Sequence, residues 1–281
     1  MPIEHFQKVT RTERSALEYL RKNCLTVSEL YCPKCGSEKV YIIQDNRYKC
    51  PICRYSFRDG SSRWFGLLRL RPTQLLWLLK LFELEATALV CAKQLNLSYP
   101  TAAKAFHIVR RAIFVANGDG VFTGCRVEVD EAYFGGRKRG RRGRGADGKV
   151  PVFGMKCREG KARMEIVSDV SSNSLIGIIT KHFDKGTLIY SDSFKSYHDL
   201  RVKGYRRKVI NHKYGFANGS THTNGVEGLW SYVKEGLAKH HGVSQTKLPF
   251  YVKEQEWRFN NRGKDLFELL VRIMCNFVPR S

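Results

Sequence analysis

Arg126–Phe134 reads RVEVDEAYF, and its alternation decides how the rest of the chain is read. Val127 and Val129 fall on one side of a strand, Glu128 and Asp130 on the other. Acidic groups gathered on a strand face conflict with the rest of the composition. The 281 residues hold 49 Lys and Arg against 26 Asp and Glu, a net charge of +23, and the pI is about 9.8. A non-membrane protein this basic has a polyanion as partner, and nucleic acid comes first. Local conflicts of this kind mark functional positions. A hydrophobic fraction of 42% and an aromatic fraction of 12% exclude a mostly disordered chain.

Working outward, a Gly-Gly turn and the basic stretch Arg137–Gly145 (RKRGRRGRG) follow the strand. Strands are predicted at Val150–Cys157 and Ala162–Val170, a helix at Ser172–Phe183, and a short apolar strand at Thr187–Ser191, which Asp192 ends. Three antiparallel strands, a helix and a strand capped by Asp is the ribonuclease-H-like order, in which the carboxylate on the first strand and the one after the fourth lie side by side. Sixty-one residues separate Asp130 from Asp192, and thirty-four separate Asp192 from Glu227. Glu227 lies in HTNGVEGLWSYVK, residues 222–234, where Asn224, Glu227, Ser231 and Lys234 share one helix face. Val226, Leu229, Trp230, Val233 and Leu237 take most of the apolar side. Glu128, Glu131 and Glu235 do not continue the spaced series.

Upstream, Cys32-Pro-Lys-Cys35-Gly36 and Cys50-Pro-Ile-Cys53 form C-x2-C, fourteen residues, C-x2-C. Four thiolates suit a tetrahedral zinc ion, and a closed four-ligand site is structural. About thirty residues cannot bury enough apolar surface alone, so the metal supplies folding energy. A redox C-x-x-C needs a βαβ context, which is absent. The other cysteines (Cys24, Cys91, Cys125, Cys157, Cys275) sit in apolar surroundings and read as small buried hydrophobes in a reducing compartment. Residues 72–117 read as helical. A helix near Glu85–Leu95 gives way at Asn96-Leu-Ser98, Ser98 caps the next, and Pro100 sits in its first turn. Two helices joined by a tight turn, the second basic, read as a helix-turn-helix, with Thr101, Lys104 and Arg110 as DNA-contacting residues.

These motifs together resemble the bacterial insertion-sequence DDE transposases with an N-terminal zinc ribbon, the ISXO-type branch related to eukaryotic Merlin elements. The zinc ribbon, VDEAYFGG with its basic insert, YSDSFKSY and HTNGVEGLWSYVK carry the resemblance over about residues 30–260. It implies that Asp130, Asp192 and Glu227 hold two Mg2+ or Mn2+ ions, with Lys234 contacting phosphate. Parts of that family have Asn in the third place, so Asn224 competes with Glu227. Clustered carboxylates and two ions are also what phosphodiester cleavage requires independently. The expected activity is metal-dependent cleavage at an element's terminal repeats and strand transfer into target DNA. A catalytically silent, DNA-binding relative is the alternative, and a junction- or RNA-cutting nuclease a weaker one.

The expected organisation is α+β and α/β multidomain: a helical segment (1–30), zinc ribbon (31–60), helix-turn-helix (72–117), ribonuclease-H-like catalytic domain (123–262) and C-terminal helix (263–281). Arg137, Lys138, Arg139, Arg141, Arg142 and Arg144 are expected to follow DNA phosphates. Leu248–Asn260 reads as a packing helix, with Asn260-Asn261-Arg262 near the site, and Asp265–Val278 as either core or dimer surface. The partner is double-stranded DNA, and the resemblance implies a homodimer or larger synaptic complex. No run of eighteen apolar residues and no signal h-region is present, so no membrane is expected, and the location is cytoplasmic, at the nucleoid when DNA is bound.

Overall fold

In the computed structural model the chain divides into two units, Met1–Ala116 with Gly263–Ser281, and Asn117–Arg262. The structure describes residues 1–24, 31–44, 47–58, 64–118, 122–135, 148–210 and 223–276.

The first unit opens with helices α1 (Ile3–Val9) and α2 (Glu13–Cys24). A small antiparallel sheet follows, β1 (Tyr41–Ile43), β2 (Arg47–Lys49) and β3 (Ser56–Arg58), in the order β1-β2-β3. Helix α3 (Pro72–Glu83) starts on a proline, whose missing N–H costs nothing in a first turn. Helix α4 (Ala88–Gln94) is capped by the Thr87 hydroxyl, which accepts from Val90 N at 3.3 Å. Asn96 then turns the chain at φ 50°, a left-handed position that Asn tolerates. Ser98 caps α5 (Tyr99–Ala116), accepting from Thr101 N at 3.3 Å. The unit is completed by α9 (Leu266–Asn276), which packs on α2, α3 and α5. Phe267, Leu270, Val271 and Met274 of α9 are buried with Leu76, Leu79, Phe82 and Phe106. Of the two readings left open for Asp265–Val278, core or dimer surface, the packing of α9 on α2, α3 and α5 supports core of the first unit.

The second unit is built on a five-stranded sheet of order β6-β5-β4-β7-β8. Strands β4 (Val127–Phe134), β5 (Val150–Cys157) and β6 (Ala162–Ile166) pair antiparallel. Strand β7 (Leu188–Ser191) runs parallel to β4, and β8 (Arg206–Val209) parallel to β7. Helix α6 (Ser172–His182) covers one face, where Val127, Val129, Phe153, Met155, Leu175, Ile176 and Ile179 form a core. Helices α7 (Asn224–Ala238) and α8 (Leu248–Asn260) cover the other, over Ala132, Val152, Met164, Val226, Leu229, Trp230 and Val252. The alternation in β4 thus sends its odd-numbered residues to α6 and its even-numbered ones to α7. Strand β8 had no signal in the sequence, because RRKV has no apolar alternation. It exists because Arg206 N and Ile210 N donate to Thr187 O and Ser191 O.

Candidate functional site

The parallel pairing of β4 with β7 sets the site. Val127 faces Ile189 and Glu128 faces Tyr190. Asp130 follows Glu128 by two residues on β4, and Asp192 follows Tyr190 by two, one residue past the end of β7, so the parallel strands carry both carboxylates toward the same end of the sheet. Asp130 is partly buried, and its carboxyl is pushed up to about 6, first by burial and then by the charges of Asp192 and Glu227. Asp192 and Glu227 therefore both lie within electrostatic reach of Asp130.

Asp130 is held in place from α7. The indole N–H of Trp230 donates to Asp130 Oδ2 at 3.1 Å. Gly154, the register partner of Asp130 on β5, makes room for the ring: a Cβ there would lie 2.3 Å from Trp230 Cζ2. Trp230 is therefore both core and a donor to the site. Only the first role is legible from its helical spacing.

Asp192 is fixed by its own loop. Its Oδ1 accepts from Phe194 N at 2.9 Å, and its carbonyl accepts from Arg207 Nη2 at 2.8 Å. Arg207 Nε also donates to Ser191 Oγ at 2.9 Å, so the edge strand β8 braces the end of β7. On the opposite face of β4, Glu131 accepts from the hydroxyl of buried Tyr197. Burial, then the Glu131 charge, hold that hydroxyl well above its ordinary range.

On α7, Asn224, Glu227, Ser231 and Lys234 are exposed, while Val226, Leu229, Trp230 and Val233 are buried. The expected face is present. Thr223, just before the helix, donates to Glu227 Oε1 at 3.0 Å. His222 lies outside the described residues.

The four cysteines converge. The Sγ atoms of Cys32, Cys35, Cys50 and Cys53 lie within 4.8 Å of one another, and no other group of the described residues is gathered so closely. The carboxylates are more widely spread. Each cysteine knuckle is closed by a left-handed residue: Gly36 at φ 74° donates to Cys32 O, and Arg54 at φ 58° donates to Cys50 O. The Cys50 thiol is held down to about 6, chiefly by the backbone N–H of Cys53, which favours a thiolate ready to ligate. The cluster can hold a metal ion.

Among the residues expected to touch DNA, Thr101 and Lys104 are exposed on α5. Arg110 is not. It is 4% exposed, with its guanidinium 5.3 Å from the Phe82 ring centre and 5.9 Å from that of Phe106. On α5 Ala102 and Ala105 are buried and Ala103 only partly so, and this helix face turns Arg110 inward. Arg137, Lys138, Arg139, Arg141, Arg142 and Arg144 lie outside the described residues.

Two further expectations change. Asn260 sits at the β6 edge of the sheet, away from β7. Its amide accepts from Ala162 N and donates to Ala162 O, both at 2.8 Å, pairing the free edge of β6. Cys125 and Cys157 are not separate hydrophobes but a disulfide, joining the chain two residues before β4 to the end of β5. Cys275 is also disulfide-bonded, whereas Cys91 is a buried free thiol.

Residues 122–260 match the ISXO2-like transposase domain family, and these bounds enclose Asp130, Asp192 and Glu227. The chain is 36% identical over 107 residues to an uncharacterized transposase-like protein of Haemophilus influenzae, an alignment covering 38% of this chain and 85% of that protein. It is 25% identical over 301 aligned positions to an uncharacterized protein in transposable element ISH50 of Halobacterium salinarum, covering 96% of this chain and 98% of that protein.

Proposed function

Since the chain belongs to the ISXO2-like transposase family of insertion sequences, we propose that it binds the terminal repeats of its element, cleaves there and transfers the freed end into target DNA. The observation that carries this reading is the placing of Asp130 on β4 and of Asp192 just past the end of its parallel neighbour β7, with Asp192 and Glu227 both near enough to raise the Asp130 carboxyl. The strand order supports a ribonuclease-H-like fold for this unit, with antiparallel β4 to β6 followed by parallel β7 and β8.

A carboxyl raised by burial and by the charges of Asp192 and Glu227, as that of Asp130 is, is short of positive charge. Hard divalent cations supply it, and oxygen donors are their preferred ligands. Asp130, Asp192 and Glu227 would hold two Mg2+ or Mn2+ ions, which activate the attacking oxygen and stabilise the leaving one. Asn224, one turn earlier on the same face, is the alternative third ligand. Trp230 orients Asp130, Arg207 fixes the backbone at Asp192, and Thr223 holds one Glu227 oxygen. Lys234 sits on the face that carries Glu227 and would contact phosphate beside the cut as a point charge.

The remaining parts serve recognition. Cys32, Cys35, Cys50 and Cys53 hold a structural zinc ion. Helices α4 and α5 act as a helix-turn-helix with Thr101 and Lys104 toward the duplex, and Arg137–Gly145 adds salt-dependent affinity. The active form would be a homodimer or larger synaptic complex, acting on DNA in the cytoplasm.

The test is magnesium-dependent nicking of labelled terminal-repeat DNA by the wild type, D130N, D192N, E227Q and N224A. Loss of cleavage with retained binding in the first three supports the reading. Loss only in N224A moves the third ligand to Asn224. A wild type that binds but never cuts in Mg2+ or Mn2+ makes the chain a silent DNA-binding relative.

A further inference from the structure

Helix α7 carries Glu227 but begins without a cap of its own. The hydroxyl of Thr223 is turned to Glu227 and makes no cap hydrogen bond. The first N–H groups of a helix have no intrahelical partner and need an oxygen from elsewhere. Here it comes from the sheet: Glu128 Oε2 accepts from Val226 N at 3.0 Å. A carboxylate in that place also meets the positive end of the helix dipole. Gly225 permits the approach, because a Cβ at that position would lie 2.6 Å from Glu128 Oε2 and 3.0 Å from Lys156 Nζ.

The other oxygen of Glu128 faces the neighbouring strands. Oε1 accepts from Arg158 Nε at 2.9 Å, with the Glu128 side chain 1% exposed and that of Arg158 11%. The Arg158 guanidinium lies 3.7 Å from the centre of the Tyr190 ring. Tyr190 is the register partner of Glu128 on β7, two residues before Asp192. Burying an ion pair is a poor way to gain stability, because desolvation offsets most of the attraction. Its placement here follows the acidic site instead. Glu128 precedes Asp130 by two residues on the same strand face, grips the helix of Glu227, and through Arg158 grips the strand of Asp192.

We propose that Glu128 is the positioning residue of this site: it sets the spacing of Asp130, Asp192 and Glu227, and through it the affinity for divalent cations. The inference rests on the reading of those three carboxylates as metal ligands. Groups that orient metal ligands change affinity by about 10–100-fold.

The test uses full-length, zinc-loaded protein. Mn2+ binding is measured by titration calorimetry, the Mg2+ concentration for half-maximal nicking is determined, and melting temperature is recorded for E128A, G225A, R158M and D130N. G225A leaves Glu128 chemically intact but drives its carboxylate off the helix, so it carries the test if E128A does not fold. The expected result for E128A and G225A is Mn2+ binding weakened about tenfold or more. The Mg2+ requirement should rise in parallel, while kcat at saturating Mg2+ changes little. Wild-type Mn2+ affinity in folded E128A or G225A, with binding lost in D130N, overturns the positioning role and leaves the site reading intact. A lower melting temperature with unchanged affinity per folded molecule does the same. If D130N itself binds Mn2+ as the wild type does, the site reading fails and this inference with it.

Discussion

The indole N–H of Trp230 donates to Asp130 Oδ2 across 3.1 Å, over the backbone of Gly154. One helix residue thus couples packing on the sheet to the aim of a carboxylate. The two roles can be separated. Gly154→Ala forces a methyl group into the ring and should destabilise the second unit by about 1–3 kcal/mol. Trp230→Phe keeps most of the packing and removes only the donor, at about 1 kcal/mol. Thermal denaturation should show a large shift for the first and a small one for the second, with divalent-cation binding weakened in both.

Asp130 makes the magnesium-free protein pH-sensitive. Its folded pKa of about 6 lies above the ordinary value of 3.8, so the native state holds this proton more tightly than the unfolded chain. The penalty is present at pH values above 6 and is relieved as pH falls toward 4. Linkage limits it to about 3 kcal/mol. Asp130→Asn, which can still accept from Trp230, should melt higher than wild type at pH 8 in magnesium-free buffer. The difference should vanish near pH 4, and one that grows on acidification would contradict the raised pKa.

Arg110 and Lys104, two cations on one helix, should behave oppositely. Arg110 is buried over Phe82 and Phe106, so Arg110→Ala should lower the melting temperature. Lys104→Ala should leave stability unchanged, weaken binding to duplex DNA at all sequences, and reduce the salt slope by about 1. Melting curves and a salt titration of binding give the comparison.

Metal removal should act locally. The ribbon's core is small, with Cys32, Cys50 and Phe57 buried and Val40, Tyr48 and Cys53 against them. Stripping zinc with a chelator, or Cys32→Ser, should abolish amide-exchange protection across 31–58. Protection of the β4–β5 ladder should persist. Loss of both together would mean that the ribbon does not fold as a separate metal-dependent element.

The Cys125–Cys157 disulfide closes a loop with a sequence separation of 32. Chain-entropy arguments give about 3–4 kcal/mol for a loop of that size. Cys125→Ser, or reduction by dithiothreitol, should lower the melting temperature of the second unit accordingly. No change on reduction would show the pair to be unlinked in solution.

Much of this protein is legible from residue spacing. Strand β5 at Val150–Cys157 and helix α8 at Leu248–Asn260 have the bounds their periodicity predicts. The cysteine spacing anticipates the one group of sulfurs gathered to metal-binding distance among the described residues. These features are local, set by alternation, helical period and turn chemistry. The same one-dimensional period failed at Arg110, because a small rotation of α5 decides which of several alanines faces the core.

Other features exist only after the chain has folded. Strand β8 forms because β7 offers it backbone partners, and its cations give no apolar pattern to read. Asn260 pairs with Ala162 across a gap of 98 residues, and Cys125 with Cys157 across 32, where nothing in the intervening sequence marks a partner. Glu128 read as a carboxylate outside the spaced series. Its role appears only when Gly225, Arg158 and Tyr190 are brought around it. By itself the sequence determined which residues carry charge, metal affinity and apolar surface, since those properties travel with each side chain. The tertiary structure decided which charges face each other, because burial and register act between segments far apart in the chain.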